Sequence, residues 1–440
     1  MNIVIIGGSF AGISCAMQAR RLHPKANIFI FEKQSTIGFI PSGLNLTLNE
    51  EIEDITQAYF ATEKDIRRAN IKLHLDSEVT AVNPSEQEIK YYDFMRQAEH
   101  VVQYDKLILA MGSRQQSNIL DDWSHPQIVT TKELQNAANS FALLDKAQHI
   151  VVVGGGQIGI EVTEALVNAN KQVTLIEAGG SLLSRYFDQD FIESILEAIE
   201  IVGVDVHLNE KVLDVSGTPI EIHTDARTIQ PDAVVLGVNL SPQSQMVKDK
   251  LELNQDGTIK VNEYLETSDP NVFAIGDLIQ TPSFNQGATF VALVNNAVRS
   301  GQIAAFNLFE QRIKHQQSYR LIGSRVFSQY ITSVGQTEVE ASQTLNVETT
   351  YVEAAYSITI SEPVKLKLIT ERETGRILGA QIRSEQDILS MADTMALAIA
   401  NGLTDQELAF QDRLYYPRIT STQPIIYLAA LRSYEKRLLK

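Results

Sequence analysis

A glycine-rich turn followed by an acidic residue lies in the middle of the chain. Gly154, Gly156 and Gly159 are spaced as Gly-x-Gly-x-x-Gly, directly after the apolar run 150–153. Such a turn lets backbone amides approach a pyrophosphate at a helix N-terminus, and its third glycine lets helix and strand pack closely. Glu177 follows 23 residues after Gly154. A carboxylate at this distance accepts hydrogen bonds from a ribose 2′-hydroxyl, so the pattern predicts a dinucleotide site.

The residues after Glu177 indicate which dinucleotide is bound. Positions 178–181 read Ala-Gly-Gly-Ser and include no Arg or Lys. A 2′-phosphate would be repelled by the Glu177 carboxylate and would find no cation beside it. The sequence therefore favours NADH over NADPH.

A second copy of the pattern opens the chain. Gly7, Ser9 and Gly12 follow the β-branched run 3–6, so a small serine replaces the middle glycine. Glu32 follows 25 residues after Gly7. A single fingerprint is weak evidence, but a doubled unit with an acid after each copy predicts two nucleotide-binding units in one chain.

Two further segments support the interpretation of the first copy. Residues 104–113 end an apolar strand with Ala-Met-Gly-Ser, and residues 267–277 end another with Gly-Asp. In this order and spacing, the four segments resemble the pyridine nucleotide–disulfide oxidoreductases, flavoproteins that bind two dinucleotides. The resemblance covers the whole chain. It implies an α/β fold with two Rossmann-like dinucleotide-binding domains plus a C-terminal α+β dimerisation domain.

The resemblance also implies domain boundaries, cofactors and a partner. The FAD-binding domain is expected to comprise 1–115 and 240–318, the NAD-binding domain 116–239, and the interface domain 319–440. FAD and NADH are the expected cofactors, and a homodimer is the expected assembly. No metal site is expected.

The residues assigned to FAD come from the first fingerprint and from segments that resemble the family's flavin site. They are Gly7, Gly8, Ser9, Phe10, Ala11, Gly12, Glu32, Lys33, Ser42, Val79, Ala110, Met111, Gly112, Ser113, Gly276, Asp277, Val294, Asn295 and Ala297. Among these, Glu32 is expected at the adenosine ribose and Asp277 at the ribityl or pyrophosphate region. The residues assigned to NAD are Gly154, Gly156, Gln157, Ile158, Gly159, Glu161, Glu177, Tyr186 and Gly237.

Within the family, the chain most resembles NADH oxidases, NADH peroxidases and coenzyme A-disulfide reductases. Their single-cysteine motif is Ser-Phe-x-x-Cys-Gly-x, whereas residues 38–44 read Gly-Phe-Ile-Pro-Ser-Gly-Leu. Ser42 thus replaces the redox cysteine, and Phe10 replaces a histidine of the first turn. A hydroxyl has no accessible sulfenate or disulfide state, and a phenyl ring transfers no proton. The family's Gly-x-Arg-Pro-Asn-Thr motif is also altered, at 237–242.

Ser42 is either a natural replacement or an introduced cysteine-to-serine change. Phe10 favours natural loss, because the proton-transferring and sulfur functions are then missing together. Cys15 does not restore the sulfur, since it follows Gly12 among small apolar residues and is expected to be a buried structural thiol.

Three other segments resemble parts of the branch's active site, namely 185–188, 295–301, and 408–410 together with 415–418. Glu161 and the tyrosines of the last segment each allow a second interpretation. Residues 185–188 resemble the segment beside bound NADH, and 295–301 resemble a flavin-facing helix start. Glu161 lies either near the nicotinamide or on an ordinary helix surface. Tyr415 and Tyr416 either line a flavin pocket across a dimer, which makes Tyr416 a catalytic candidate, or serve packing alone.

These residues predict an oxidoreductase that passes hydride from NADH to FAD. Without a cysteine, only two electrons are available at a time, so the expected acceptor is O₂, giving H₂O₂, or a quinone or dye. Coenzyme A-disulfide reduction is disfavoured because it requires a mixed disulfide on the enzyme. The alternative is a flavoprotein that has lost catalysis and acts as a sensor or binding module, and the altered segment 237–242 is its only support.

Composition excludes several other classes. The chain has 440 residues and a net charge of −17, which argues against nucleic acid and anionic membranes as partners. No apolar run approaches the roughly 20 residues that span a bilayer. The N-terminus opens on a strand without a basic signal region, so a cytoplasmic location is expected. One cysteine excludes an intrachain disulfide. No metal-ligand spacing occurs among His23, His74, His100, His125, His149, His207, His223 and His315.

The elements that must position these residues follow from periodicity and turn signals. Strands are predicted at 2–6, 27–31, 78–84, 88–92, 101–110, 150–153, 172–176, 325–334, 347–360, 364–370 and 377–383. Of these, 78–84, 88–92 and 101–110 are predicted to form an antiparallel meander. Helices are predicted over about 12–22, from the second fingerprint to about 168, and over 387–401 with Gly402 after its end. A hairpin turn is predicted at 373–375.

Overall fold

The computed structural model describes residues 1–115, 125–129, 134–237, 240–284, 287–416, 418 and 420–439, without the side chains of 134–136. The strands in chain order are β1 (Asn2–Ile6), β2 (Asn27–Phe31), β3 (Lys72–His74), β4 (Ser77–Asn83), β5 (Glu88–Asp93), β6 (Ala98–Gln103), β7 (Lys106–Leu109), β8 (Ser113–Gln115), β9 (Ile128–Val129), β10 (His149–Val153), β11 (Gln172–Glu177), β12 (Asp205–Leu208), β13 (Val212–Ser216), β14 (Glu221–Thr224), β15 (Thr228–Ile229), β16 (Ala233–Leu236), β17 (Leu240–Pro242), β18 (Val272–Ala274), β19 (Gln280–Ser283), β20 (Gly287–Phe290), β21 (Ile322–Val326), β22 (Gln329–Gly335), β23 (Val347–Ala355), β24 (Pro363–Glu371) and β25 (Ile377–Ser384).

The helices in chain order are α1 (Phe10–Leu22), α2 (Gly43–Leu48), α3 (Glu63–Arg68), α4 (Leu134–Lys146), α5 (Gln157–Asn168), α6 (Gln189–Ile201), α7 (Val294–Asn307), α8 (Glu338–Ser342), α9 (Met391–Ala400), α10 (Asp405–Ala409) and α11 (Ile425–Leu438).

The chain forms two compact units. The first unit consists of Met1–Asn118, Val129–Lys146 and Asn239–Ser318, and the second of Ile119–Ile128, Ala147–Val238 and Tyr319–Lys440. The finer division into FAD, NAD and interface domains stays a prediction. Its boundaries at 116 and 239 lie outside the described residues.

A parallel sheet in the order β18-β7-β1-β2-β3 is the core of the first unit. Ile3 is paired with Ile28 on one side and with Lys106 on the other. Ile3, Val4 and Ile5 are all 0% exposed, because a parallel sheet is covered on both faces and its strands are therefore continuously apolar. The chain passes from β1 through α1 to β2, which is the βαβ unit predicted from the first fingerprint.

The same arrangement recurs in the second unit. Strands β12, β11, β10 and β16 lie side by side in parallel. Ile150, Val151 and Val152 are 0% exposed, and α5 ends at Asn168 as predicted. The duplicated βαβ pattern and the α/β fold class are thus confirmed.

The second unit also contains an antiparallel sheet in the order β21-β22-β25-β24-β23. Helices α9 and α11 pack against it. The predicted turn between β24 and β25 is present, with Gly375 at φ +76°. Gly402 adopts φ +65° directly after α9 and its C-cap residue Asn401, as predicted for a helix C-terminus.

The prediction of one strand over 101–110 was wrong. The chain forms β6, which is antiparallel to β5, and then β7, which is parallel to β1. Because β6 and β7 belong to different sheets, the chain must turn between the two strands, at Tyr104 and Asp105. The turn is held from outside, since the Tyr104 amide donates to the Gln87 carbonyl at 2.9 Å.

The prediction of one strand over 325–334 was also wrong. This stretch folds back as the hairpin β21–β22, with Phe327 and Ser328 at φ +48° and +63°. Two consecutive positive φ values give a tight turn that usually carries Gly, Asn or Asp. The sequence provided no such signal. The Phe327 amide donates to the Glu164 carboxylate at 2.6 Å, so a contact from α5 stabilises the turn.

Three element boundaries differ from the prediction by two or more residues. Helix α1 begins at Phe10 rather than near 12. Strand β23 ends at Ala355 rather than at 360. Helix α9 begins at Met391 rather than at 387, because the Asp387 carboxylate accepts the Leu389 amide at 3.0 Å and forms a local turn instead of a helical one.

Cys15 is 0% exposed, and burial raises the pKa of its thiol to about 12. A neutral buried thiol is unreactive, as the sequence indicates. In the part of the chain that the structure describes, no helix is both long and apolar enough to cross a bilayer. Nor do three or more His, Cys, Asp or Glu residues of that part come together in a group suited to a metal ion.

Candidate functional site

The first glycine turn brings the end of β1 against the start of α1. Gly7 has φ +108°, and its amide donates to the Phe31 carbonyl at 2.9 Å. A Cβ at Gly7 would lie 2.3 Å from the Ala110 carbonyl oxygen, and one at Gly12 would lie 2.0 Å from the Gly7 oxygen. Neither position accepts a side chain, so this close packing requires both glycines.

Glu32 closes the first turn. One of its carboxylate oxygens accepts the Gly8 amide at 2.7 Å, and the other accepts the Gln34 amide at 3.0 Å. The acid predicted at an adenosine ribose thus also stabilises the loop that would hold the pyrophosphate. Lys33 beside it is exposed.

The second glycine turn repeats the first. The Gly154 amide donates to the Ile176 carbonyl at 2.8 Å, and a Cβ at Gly159 would lie 1.8 Å from the Gly154 oxygen. The Glu177 carboxylate accepts the amides of Gly155 and Gly179, both at 2.6 Å. The two acids make equivalent contacts in the two turns, so the sequence repeat is also a repeat of hydrogen bonds.

Both helix N-termini suit an anionic ligand. Neither Ser9 before α1 nor Gly156 before α5 caps its helix through a side chain. A Cβ at Gly156 would have no neighbouring heavy atom within 4 Å, so a group can approach the backbone there. Amides at a helix N-terminus, with space in front of them, fit a pyrophosphate. Ile158, in the first turn of α5, is 40% exposed.

Gly237 packs on the second turn. Its amide donates to the Val153 carbonyl at 2.8 Å, and a Cβ there would lie 3.2 Å from the Gly159 Cα. Ala110 occupies the equivalent place in the first unit, where its amide donates to the Ile6 carbonyl at 2.9 Å. Val238 and Asn239, the next residues of the altered motif, lie outside the described residues.

A polar cluster forms where β7 and β18 end in the first unit. The Ser113 hydroxyl donates to the Asp277 carboxylate at 2.6 Å, and the Gly276 amide donates to the Ser300 hydroxyl at 3.0 Å. Gly112 has φ +69° with open space at its Cβ position. A hydroxyl, a carboxylate and open backbone at the ends of parallel strands suit a polar ligand chain such as the ribityl phosphate of FAD.

Helix α7 lies directly against α1. A Cβ at Gly301 would lie 2.4 Å from the Ala11 carbonyl oxygen, so the glycine allows the two backbones to approach. At the N-terminus of α7, Val294 and Asn295 are exposed, whereas Ala297 is 8% exposed. Val79, in the bulged part of β4, is 5% exposed.

Ser42 and Phe10 have no partner for redox or proton chemistry in the contacts that the structure shows for them. Ser42 is exposed, and its side chain does not cap α2, which begins at the next residue. The Phe10 ring stacks on the Phe60 ring, with centroids 4.2 Å apart and planes 9° from parallel. Phe10 thus occupies its position as an apolar packing residue.

The segment that leads to Ser42 is tied to the first glycine turn. The Gly38 amide donates to the Gly8 carbonyl, and the Phe60 amide donates to the Gly38 carbonyl, both at 3.0 Å. Residues 38–40 and 58–60 therefore run beside each other, and Phe60 reaches Phe10. The segment that leads to Ser42 and the Phe10 ring are thus linked through Gly38 and Phe60.

Tyr186 and Glu161 contact the antiparallel sheet of the second unit. The Tyr186 carbonyl accepts the Ser333 hydroxyl at 2.6 Å. Glu161 accepts the Ser324 hydroxyl at 2.5 Å and the Gln157 amide group at 3.1 Å, which favours a role in packing α5. Tyr416 is 49% exposed, and its role stays a prediction.

Sequence reasoning missed four residues that shape these sites: Gly155, Phe60, Gln243 and Ser300. Gly155 lies inside the second fingerprint, and its amide donates to the Glu177 carboxylate. The fingerprint pattern could therefore have identified this residue. The Gln243 side chain donates to the Met111 carbonyl at 2.8 Å. For Phe60, Gln243 and Ser300, the contact joins distant parts of the chain, and no local pattern indicates it.

Comparison with known proteins agrees with this geometry. Residues 1–301 match the model described as pyridine nucleotide-disulphide oxidoreductase, and residues 323–423 match the dimerisation domain of the same family. A curated NADH oxidase from Enterococcus faecalis is 29% identical over 446 residues, covering 99% of this chain and 100% of the relative.

Two solved structures are similar along their whole length. An oxidoreductase of the pyridine nucleotide-disulfide family from Enterococcus faecalis is 33% identical, with a TM-score of 0.88 and full coverage of both chains. A water-forming NADH oxidase from Lactobacillus brevis, solved with NADH bound, is 26% identical, with a TM-score of 0.94, covering 100% of this chain and 99% of that one.

Proposed function

The chain belongs to the pyridine nucleotide-disulphide oxidoreductase family, and from this premise we propose that it oxidises NADH through FAD and reduces a two-electron acceptor without thiol chemistry. The observation that carries the proposal is the pair of glycine turns, each closed by a carboxylate, combined with Ser42 and Phe10 where the resembling branch has its cysteine and histidine. The first turn is assigned to FAD and the second to NADH.

FAD supplies the electron relay, since a flavin accepts a hydride from NADH and returns two electrons to an acceptor. The residues of the chain bind and orient the two nucleotides. The amides at the starts of α1 and α5 would hold the pyrophosphates, and Glu32 and Glu177 would hold the adenosine riboses. Ser113 and Asp277, which are hydrogen-bonded to each other, would hold the polar chain of the flavin cofactor and so orient it.

The residues at the acceptor side determine the product. Reduction of O₂ to H₂O₂ takes two electrons and two protons, which are supplied by the hydride of one NADH and one proton from solvent. Water formation takes four electrons, and in the resembling branch a cysteine sulfur handles the second pair. The relative from Lactobacillus brevis is water-forming. The shared fold does not decide the product, because the proposal depends on the side chains at positions 42 and 10.

A quinone is the second candidate acceptor, and the Phe10–Phe60 pair favours it. The two stacked rings present a flat apolar surface, and Phe60 is 37% exposed. A planar ring can stack on such a surface. The alternative of a sensor without turnover has less support, since Gly237, the glycine that the altered motif retains, packs closely against Gly159.

Anaerobic mixing of the purified protein with NADH tests the proposed function. We expect a yellow protein that releases about one FAD per chain on heating, since one of the two glycine turns is assigned to FAD. NADH is expected to bleach the flavin absorbance without any acceptor present. A protein that remains colourless after incubation with FAD, or a bound flavin that NADH does not bleach, would contradict the proposal.

Glu177 is expected to impose a preference for NADH over NADPH. Its hydrogen bond to the ribose and its repulsion of a 2′-phosphate are together worth about 2–3 kcal/mol, or roughly 30- to 150-fold in kcat/KM. The variant Glu177→Gln, which removes the charge, is expected to reduce the ratio of kcat/KM for NADH to kcat/KM for NADPH about tenfold. Flavin reduction by each nucleotide measures the ratio.

Glu32→Gln is the matched control, because Glu32 makes the same two amide contacts in the first turn. Its expected effect is weaker retention of FAD, with an unchanged NADH-to-NADPH ratio once FAD is added back. An equal preference for both nucleotides in the unaltered protein would show that the ribose binds elsewhere.

The proposal includes a homodimer, because residues 323–423 match a dimerisation domain. Phe410, Leu414, Tyr415 and Tyr416 expose apolar surface at 69%, 75%, 52% and 49% in the single chain, as expected for residues that another copy covers. Light scattering at micromolar concentration should give about twice the chain mass of 48.9 kDa. A monomer with full FAD content would refute the dimer. It would also rule out the role of Tyr416 in a flavin pocket across the dimer.

The product of O₂ reduction tests the role of Ser42. We expect about one H₂O₂ per NADH, because each carries two electrons. Ser42→Cys alone should form little water, since Phe10 transfers no proton and is stacked on Phe60. Adding Phe10→His should increase water formation. Measuring the H₂O₂ formed per NADH consumed, with and without catalase, gives the proportions of H₂O₂ and water.

Ser85→Cys is the control for the added thiol, because Ser85 is exposed on the turn between β4 and β5. It should leave the H₂O₂ yield unchanged. Water as the main product of the unaltered protein would mean that a second two-electron route exists. Fast bleaching by NADH with negligible O₂ consumption would instead identify a quinone or another acceptor as the substrate.

A further inference from the structure

The loop that precedes α6 is attached to the second glycine turn at its beginning. The Leu183 amide donates to the Gly155 carbonyl at 2.8 Å. The Leu182 side chain packs so closely that a Cβ at Gly155 would lie 2.5 Å from it. The loop also contains Tyr186, whose amide donates to the Leu183 carbonyl at 2.8 Å. Its position is therefore coupled to the turn that is assigned to NADH.

Four polar side chains hold the other end of this loop, and they form one row across the antiparallel sheet. In the strand register, Tyr351 lies opposite Lys367, Lys367 opposite Gln381, and Gln381 opposite Ser333. Residues directly opposite each other on neighbouring strands project from the same face of a sheet. Strands β23, β24, β25 and β22 thus each contribute one member of the row.

Two members of the row bind the loop backbone. The Ser333 hydroxyl donates to the Tyr186 carbonyl at 2.6 Å. The Gln381 side chain accepts the Asp188 amide at 3.2 Å and donates to the Asp188 carboxylate at 2.7 Å. The loop is thus fixed on both sides of Phe187, which is 2% exposed.

Lys367 is the charged centre of the row. Its side chain is 1% exposed, and its ammonium lies 3.1 Å from Asp188, 3.0 Å from Asp190 and 2.7 Å from Glu338. The Tyr351 hydroxyl donates to the Asp190 carboxylate. Burial opposes a charge on the Lys367 amine, but the hydrogen bonds with Glu338 and Tyr351 raise its pKa above the ordinary value.

Asp188 receives further donors from α8. The amides of Glu338 and Val339 donate to its two oxygens at 3.0 and 3.2 Å. These donors fix the orientation of the Asp188 carboxylate. Removal of the Lys367 ammonium would leave the carboxylates of Asp188, Asp190 and Glu338 close together without a cation. The row therefore defines where the loop ends relative to the sheet.

We infer that this row, with Lys367 at its centre, positions the Tyr186 loop over the second glycine turn and thereby sets the affinity for NADH. The inference rests on the proposed function. Lys367 is a positioning residue, since it contacts the loop and acts on the nucleotide through it. A purely structural role would lower thermal stability and leave nucleotide affinity unchanged.

The experiment uses the FAD-loaded protein and compares the variants Lys367→Met and Ser333→Ala. Equilibrium titration with NADH is expected to show about tenfold weaker binding for Lys367→Met, which removes the charged centre, and about threefold for Ser333→Ala, which removes one hydrogen bond. The KM for NADH should rise with binding, while kcat with ferricyanide changes less than about twofold. Amide exchange at 183–187 should accelerate in both variants.

Lys260→Met is the matched control, because Lys260 pairs with Glu252 at 2.9 Å on an exposed surface of the first unit. It should bind NADH like the unaltered protein. Unchanged affinity in both test variants would overturn the inference. If Lys367→Met fails to fold, the NADH affinity of Ser333→Ala tests the inference by itself, because this variant removes a single hydroxyl. Failure of the proposed function is a separate result, because it appears as unbleached flavin in the unaltered protein.

Discussion

A carboxylate that accepts an amide of the glycine turn is the interaction on which the rest of this structure depends. Each βαβ unit must bring a strand end, a helix start and an acid to one place. The helix can approach only because Gly12 and Gly159 lack a side chain. Glu32 and Glu177 then bind the Gly8 and Gly155 amides and fix the turn. The same two acids are the residues assigned to the adenosine riboses, so in the proposed function loop geometry and nucleotide recognition share one side chain.

The two turns are supported differently. The first is covered by the segment that leads to Ser42, through the Gly38 amide. The second is covered by the loop that carries Tyr186, and a row of polar side chains on the antiparallel sheet holds that loop. Equivalent nucleotide turns have thus acquired different neighbours. This difference is consistent with the proposal that the first turn binds FAD and the second binds NADH.

Sequence patterns failed where two sheets or a distant side chain controlled the backbone. The turn at Tyr104 separates strands that belong to different sheets, and an apolar run does not reveal such a break. The hairpin at Phe327 and Ser328 has positive φ values without a glycine, and Glu164 on α5 holds its amide. Strand pairing and tertiary hydrogen bonds overrode local propensity in both cases.

The sequence by itself determined the α/β class, the duplication, the two acids and the substitutions at 42 and 10, because these depend on residue types at short and regular spacings. Only the tertiary structure decided that Phe10 stacks on Phe60 and that Ser333, Gln381, Lys367 and Tyr351 form one row. Those residues are far apart in the chain. Their contacts follow from sheet register and chain reversal, and register is set by the whole sheet rather than by any local run of residues.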